Sequence, residues 1–362
     1  MDNNKSAYKI KKFYAASNSH NGFYSLFDSI FSSEKLKRIY IIKGGPGCGK
    51  STAMKAISDY AAKNDFEVLE YFCSSSPSSL DGVIIPQLST AVLDGTSPHT
   101  VDPKFPAICE NIIDFGVSWN IDKAKIYNNE IKKLNIEKAN AYRRAYAYLS
   151  SCMSAKEVKI NCLESYLLED KMISAIERIC SKLKIKKSAG KLNKVFTDCI
   201  SGKGNIHLDT FEKNAETRYF VKDFAETSHV FFKHLTDILS DIGADITVAL
   251  NPLFPDHYCG IWLPDDSISF TIYDDCFAES LDKKQIPYKI INLSRFCNYD
   301  IFKKNKTIFK YADKSENFLM NGAIKQLALA SDYHDKIENA YHNFTDYKKI
   351  AEITNKLIKD IF

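Results

Sequence analysis

A chain of 362 residues with 45% hydrophobic and 26% charged side chains has the make-up of a folded globular protein of one large or two ordinary domains, which excludes disorder and fibrous repeats. Its 49 basic and 45 acidic residues leave a formal net charge of +4, too balanced to announce a nucleic-acid or membrane-surface binder. No apolar run approaches the roughly 18 residues of a spanning helix, and Met1–Ser6 leads into Lys and Tyr instead of an apolar stretch, so no secretory signal is expected.

The first strongly marked element is Arg38–Lys43 (RIYIIK), whose β-branched and aromatic content reads as a buried strand. Gly44, Gly45, Pro46, Gly47, Cys48, Gly49, Lys50, Ser51 and Thr52 follow, and then Ala53–Lys63, with Met54, Ile57, Tyr60 and Ala61 at helical spacing. Strand, glycine loop and helix form the context in which G-x-x-x-x-G-K-[ST] predicts a P-loop (Walker A). Glycines let the backbone wrap an anion and turn successive N–H groups toward it, and the helix start adds its positive dipole end. The pattern therefore predicts a site for ATP or another nucleoside triphosphate. Lys50 would reach the β- and γ-phosphates, and the Ser51 hydroxyl would ligate Mg²⁺.

Phe66–Cys73 reads as a second strand, followed by the polar stretch Ser74–Ser79. Leu80–Pro86 then leads into Thr90–Asp94, an apolar run ending in a carboxylate, which is the Walker B arrangement. Asp94 is the expected second Mg²⁺ group, opposite Ser51. Asp81 is the rival carboxylate, suited to positioning a water or an acceptor hydroxyl, and His99 lies five residues beyond Asp94. No Glu follows Asp94, which argues for slow hydrolysis or for a phosphoryl acceptor other than water.

Residues 121–184 contain neither Gly nor Pro and are rich in Lys, Glu, Ala and Tyr. Apolar residues recur at three-four spacing, predicting a helical hairpin broken around Cys152–Glu157, either an arm for a protein partner or self-association, or ordinary core helices packed on the sheet. Arg143 and Arg144 on that arm read as a solvated face. The basic run Lys182–Lys194 reads as a charged linker rather than a nucleic-acid patch.

The chain then repeats itself. Pro77, Gly82 and Pro86 recur as Pro255, Gly260 and Pro264, and Ala91–Asp94 is matched by Thr271–Asp274. Arg38–Lys43 recurs as Thr217–Lys222, but the glycine loop is replaced by Asp223–Val230, with His229 against Lys50 and Val230 against Ser51. Two acidic residues where phosphate would sit disfavour an anion by Coulomb repulsion, so the second copy is expected to bind no nucleotide. Residues 320–362 are almost all helix formers.

With Lys43–Thr52, Cys73–Ser75, Leu80–Pro86, Leu93–His99 and the early Gly22–Leu26 in view, the sequence resembles a bacterial family of duplicated P-loop NTPases described generically as ATPase or nucleotide kinase. The resemblance implies an α/β P-loop NTPase fold, duplicated, with a mostly parallel sheet flanked by helices and long helical extensions. Family members keep a Walker A loop in both copies, and Asp223–Val230 departs from that. The expected division is 1–185 for a P-loop domain with its helical extension, 186–206 for a linker and 207–362 for a degenerate second copy. The expected function is a slow Mg²⁺-dependent ATPase that changes conformation, with Lys50, Asp94 and Asp81 as its catalytic groups. A small-molecule or nucleotide kinase and a nucleotide-sensing scaffold without turnover are the alternatives. The ten cysteines form no Cys-x-x-Cys pair and read as free thiols of a cytoplasmic protein.

Overall fold

The run RIYIIK becomes a strand because its four central residues are buried on both faces, which only an inner strand of a helix-covered sheet allows. The computed structural model describes residues 9–275, 278–279 and 286–362; the Met1–Ser6 reading and Cys276 lie outside them. The first copy runs β1 (Ile10–Tyr14), the hairpin β2 (Ala16–Ser19) and β3 (Gly22–Ser25), α1 (Phe27–Ile30), β4 (Arg38–Lys43) and α2 (Lys50–Lys63). It continues with β5 (Val68–Phe72), β6 (Leu80–Ile85), β7 (Thr90–Asp94) and β8 (Glu110–Asp114). The helices α3 (Ile121–Ile126), α4 (Asn128–Ile160), α5 (Leu163–Tyr166) and α6 (Glu169–Cys180) complete it. The second copy runs β9 (Leu192–Val195), the hairpin β10 (Asp198–Ser201) and β11 (Gly204–His207), α7 (Thr210–Lys213), β12 (Thr217–Lys222) and α8 (Ser228–Ile242). Next come β13 (Ile246–Leu250), β14 (Tyr258–Leu263), β15 (Ile268–Ile272), β16 (Lys289–Asn292), α9 (Tyr299–His342) and α10 (Tyr347–Ile361).

The fold is mixed α/β, with two six-stranded sheets of the same order, β1-β5-β6-β7-β4-β8 and β9-β13-β14-β15-β12-β16. Parallel pairing holds for β1–β5, β4–β7 and β4–β8, but β6 is antiparallel to both β5 and β7. Five of the six strands thus run the same way, as expected of a mostly parallel sheet, and β6 alone is reversed. The reason is local: only Pro86–Ser89 joins β6 to β7, too short for the crossover a parallel pair requires. The same connection recurs at Pro264–Ser267, and Ser89 and Ser267 both take positive φ, 47° and 54°.

Compactness divides the chain into interleaved units rather than the contiguous stretches 1–185 and 207–362. One unit is Met1–Ala147, Cys199–Leu208 and Gly322–Phe362; the other is Tyr148–Asp198 and Asp209–Asn321. In the first unit, Ile350, Leu357 and Ile361 of α10 join Ala53, Met54, Ile57 and Ala61 of α2 in one core. The Arg38 guanidinium donates to the carbonyls of Asp360 and Ile361 at 2.9 and 3.0 Å, satisfying the open C-terminal end of α10. In the second unit, Leu163 and Tyr166 of α5 pack with Phe309, Phe224 and Val230.

Two further expectations change. Helix α4 runs unbroken through Cys152–Glu157, and the interruption falls at residues 161–162. The stretch 186–206 is not a linker, because β9 pairs with β13 and β10 with β11. Its lysines mark β9 as an edge strand, where charge blocks unwanted pairing. Among the described residues, no helix is long and apolar enough to cross a membrane.

Candidate functional site

The loop from Gly44 to Gly49 joins an inner strand to the first turn of α2. Gly47 and Gly49 have φ of 67° and 85°, conformations that glycine adopts without strain. Gly45 lies against Tyr341, and a Cβ there would come within 2.3 Å of its ring. Cys48 is fully buried, and burial pushes its thiol up despite the opposing charge of Lys50. Pro46 is half-buried within the loop, and Thr52 is exposed on the first turn of α2.

Lys50 folds back over this loop. Its Nζ donates to the carbonyls of Gly44 and Gly45 at 3.0 and 2.8 Å and lies 3.5 Å from Asp94 Oδ2. Asp94 ends β7 beside Ile42 of β4, so strand register alone brings it to the loop. Burial raises the Asp94 carboxyl above its usual range, Lys50 and Thr96 oppose this, and the charge of Asp81 adds to it. Asp94 Oδ1 accepts from the Thr96 N–H at 2.9 Å. The Ser51 hydroxyl oxygen accepts from the Leu80 N–H at 2.9 Å, which ties the first turn of α2 to the start of β6.

Asp81 and Asp94 lie on adjacent antiparallel strands, one residue on from the Gly82–Leu93 pair. Asp81 is buried and its Oδ2 lies 3.0 Å from His99 Nε2. The His99 ring stacks on Phe27 at 4.2 Å between centroids, with Phe23 edge-on at 4.9 Å. His99 Nδ1 is buried without a hydrogen-bond partner among the described residues. Lys43 fixes the intervening loop by donating to the carbonyls of Gly95 and Val101 at 2.8 and 2.7 Å. The structure therefore brings together Lys50, Ser51, Asp94 and Asp81, with His99 behind Asp81. Arg144 bonds Gln326 and Arg143 bonds Asn140.

Sequence reasoning missed a second set of residues at this loop. The Gly47 N–H donates to Glu338 Oε1 at 3.2 Å, and the Tyr347 hydroxyl donates to the Gly47 carbonyl at 2.7 Å. Both come from the C-terminal helices α9 and α10. Their spacing from Gly47 is tertiary, so no local pattern could reveal them.

The equivalent loop of the second unit is built differently. Helix α8 begins at Ser228 after Thr227 in right-handed backbone, where α2 follows the left-handed Gly49. The Asp223 carboxylate accepts from the N–H groups of Ser228 and Glu226 at 2.7 and 3.3 Å, so the turn already holds an anion of its own. The Glu226 carboxylate is paired at 2.7 Å with both Lys156 and Lys159. Burial alone would raise Glu226, but these lysines outweigh it and hold the group low. The match of Asp274 to Asp94 needs correction. Ile42 pairs with Asp94 in the first sheet and Val221 with Ile272 in the second, so Ile272 occupies the Asp94 position. Asp274 lies two residues beyond the strand end, where the run of apolar residues misleads the eye.

Among the described residues, no group of three or more His, Cys, Asp or Glu side chains could hold a metal ion by itself. The family model described as Nephrocystin 3, N-terminal matches residues 24–84, a segment running from β3 through β6 that encloses the glycine loop. No curated protein and no solved structure matches the chain significantly.

Proposed function

We propose that the first unit is a P-loop ATPase site that binds Mg²⁺-ATP at Gly44–Thr52 and cleaves its β–γ bond slowly. The observation that carries this reading is Lys50, which caps the loop carbonyls while facing Asp94 at 3.5 Å. An ammonium group held there supplies charge to phosphate oxygens without having to reorganise. Ser51 and Asp94 would hold Mg²⁺, which neutralises charge developing on the transferred phosphoryl group. Loop N–H groups bind and orient the phosphates. Asp81 is already engaged by His99 and no Glu directly follows Asp94, so water activation is weak and turnover slow. Nucleotide occupancy would reorder the Asp94–His99 loop.

A second reading, phosphoryl transfer to a small-molecule hydroxyl, is favoured by the buried Asp81–His99 pair, whose Nδ1 has no hydrogen-bond partner among the described residues. Such a pair could accept the hydroxyl proton. Phosphate release from ATP alone, against transfer in the presence of metabolite mixtures, separates the two. Tight binding with no turnover in either assay would leave a nucleotide-sensing scaffold.

The direct test is thermal. At 100 times its dissociation constant, Mg²⁺-ATP should stabilise the fold by about 2.7 kcal/mol. Lys50→Ala should lose most of that stabilisation. An equal melting shift in wild type and Lys50→Ala would remove Lys50 from the phosphate site.

A further inference from the structure

The glycine loop has an anion supplied by the chain itself. Glu338 Oε1 accepts the Gly47 N–H at 3.2 Å, and the helix carrying it sits directly on the loop. A Cβ on Gly47 would lie 3.0 Å from the Glu338 carbonyl oxygen. Tyr341 packs over Gly45 from the same helix, and Tyr347 bonds the Gly47 carbonyl. Glu338 is not locked in, however. Its side chain is 39% exposed, and the His334 Nε2, one turn back along α9, lies 3.4 Å from its Oε1.

The second loop shows the same place filled by other means. Gly47 lies four residues after the end of β4, and Glu226 lies four residues after the end of β12. Where α9 brings a carboxylate to Gly47, α4 brings Lys159 and Lys156 to Glu226. Lys159 is 7% exposed and also pairs with Glu316 and with Asp313. The second loop thus carries a permanent carboxylate pinned by the buried Lys159 and by Lys156, whereas the first borrows one from a half-exposed side chain. A permanent anion closes a loop to phosphate; a borrowed one can leave.

We propose that Glu338 is a tethered competitor of phosphate, occupying a loop N–H that a nucleotide would use, so that triphosphate binding expels it and frees the end of α9. The inference rests on the nucleotide reading of this loop. A carboxylate and a phosphate compete for one N–H donor, and their like charges repel at this range. The helix end would then report occupancy of the loop, with Tyr341 and Tyr347 moving alongside Glu338.

The test is calorimetry on the intact chain with two probes, a non-hydrolysable Mg²⁺-ATP analogue and Mg²⁺-pyrophosphate, which has no base. Glu338→Gln keeps the shape without the charge, and Glu338→Ala removes the group; ligand-free melting confirms that each is folded. Both variants should bind both probes at least about tenfold tighter than wild type. Equal or weaker binding overturns the proposal. So does a loss of ATP turnover with unchanged affinity, which would make Glu338 a catalytic base. Failure of every variant to bind either probe would sink the nucleotide reading itself, a result distinct from binding without gain.

Discussion

His229 and His257 stack face to face with ring centroids 4.0 Å apart, near the Glu226–Lys156 pair. Burial lowers both, and it takes His257 from 6.5 to about 4, with His229 and Lys156 adding and Glu226 opposing. A histidine lowered on folding is held neutral. Its contribution is therefore intact above about 6.5 and is lost as pH falls through about 4. His257→Gln should flatten the fall in urea midpoint between pH 7 and pH 4 relative to wild type; parallel curves would show that His257 does not titrate with unfolding. At this scale the sequence reveals residues whose partners are local. Lys50 and Ser51 were legible because loop, strand and helix adjoin. Asp94 was legible as a strand-end carboxylate, but its counterpart Ile272 was not, since register is decided by pairing with another strand. Glu338 was hidden for a plainer reason: it lies 291 residues from Gly47.

Among the elements, α10 shows how a helix is fixed by one face. Ile350, Thr354, Leu357 and Ile361 are buried at helical spacing, and Asp346 caps the N-terminus by accepting from the Lys348 and Lys349 N–H groups. Leu357 is 3% exposed in the core shared with α2. Leu357→Ala should cost about 2–5 kcal/mol in chemical denaturation, as loss of a buried leucine does when the cavity cannot close. A cost below about 1 kcal/mol would mean that α10 is not part of that core. The helical character of α10 was readable from composition, whereas its seat on α2 was not. The unbroken α4 was misjudged around Cys152, where small and polar residues imitate a turn but the helix continues with Cys152 and Met153 buried. Strand β9 was lost in a basic run because edge strands carry the same lysines as linkers.

Over the whole molecule, the repeat was visible in Pro86 and Pro264 and is matched by two sheets of one order. What the repeat could not convey is the interleaving. The first unit takes Cys199–Leu208 and Gly322–Phe362 from the second copy, and the second unit takes α4 from Tyr148 onward, α5 and α6 from the first, with boundaries inside α4 and α9. A motif search reads neighbours along the chain, whereas these helices are placed by packing. The two units then differ in the one place that matters for an anion. One loop keeps its glycines and Lys50, and the other turns its N–H groups onto Asp223 and ties Glu226 to Lys156 and Lys159. On the proposed function, each chain therefore holds one live triphosphate site. Isothermal titration of the wild-type protein with Mg²⁺-ATP tests it most directly. A single nucleotide per chain should bind saturably, and that binding should disappear in Lys50→Ala; flat heats, or two nucleotides bound per chain, would refute the one-site reading.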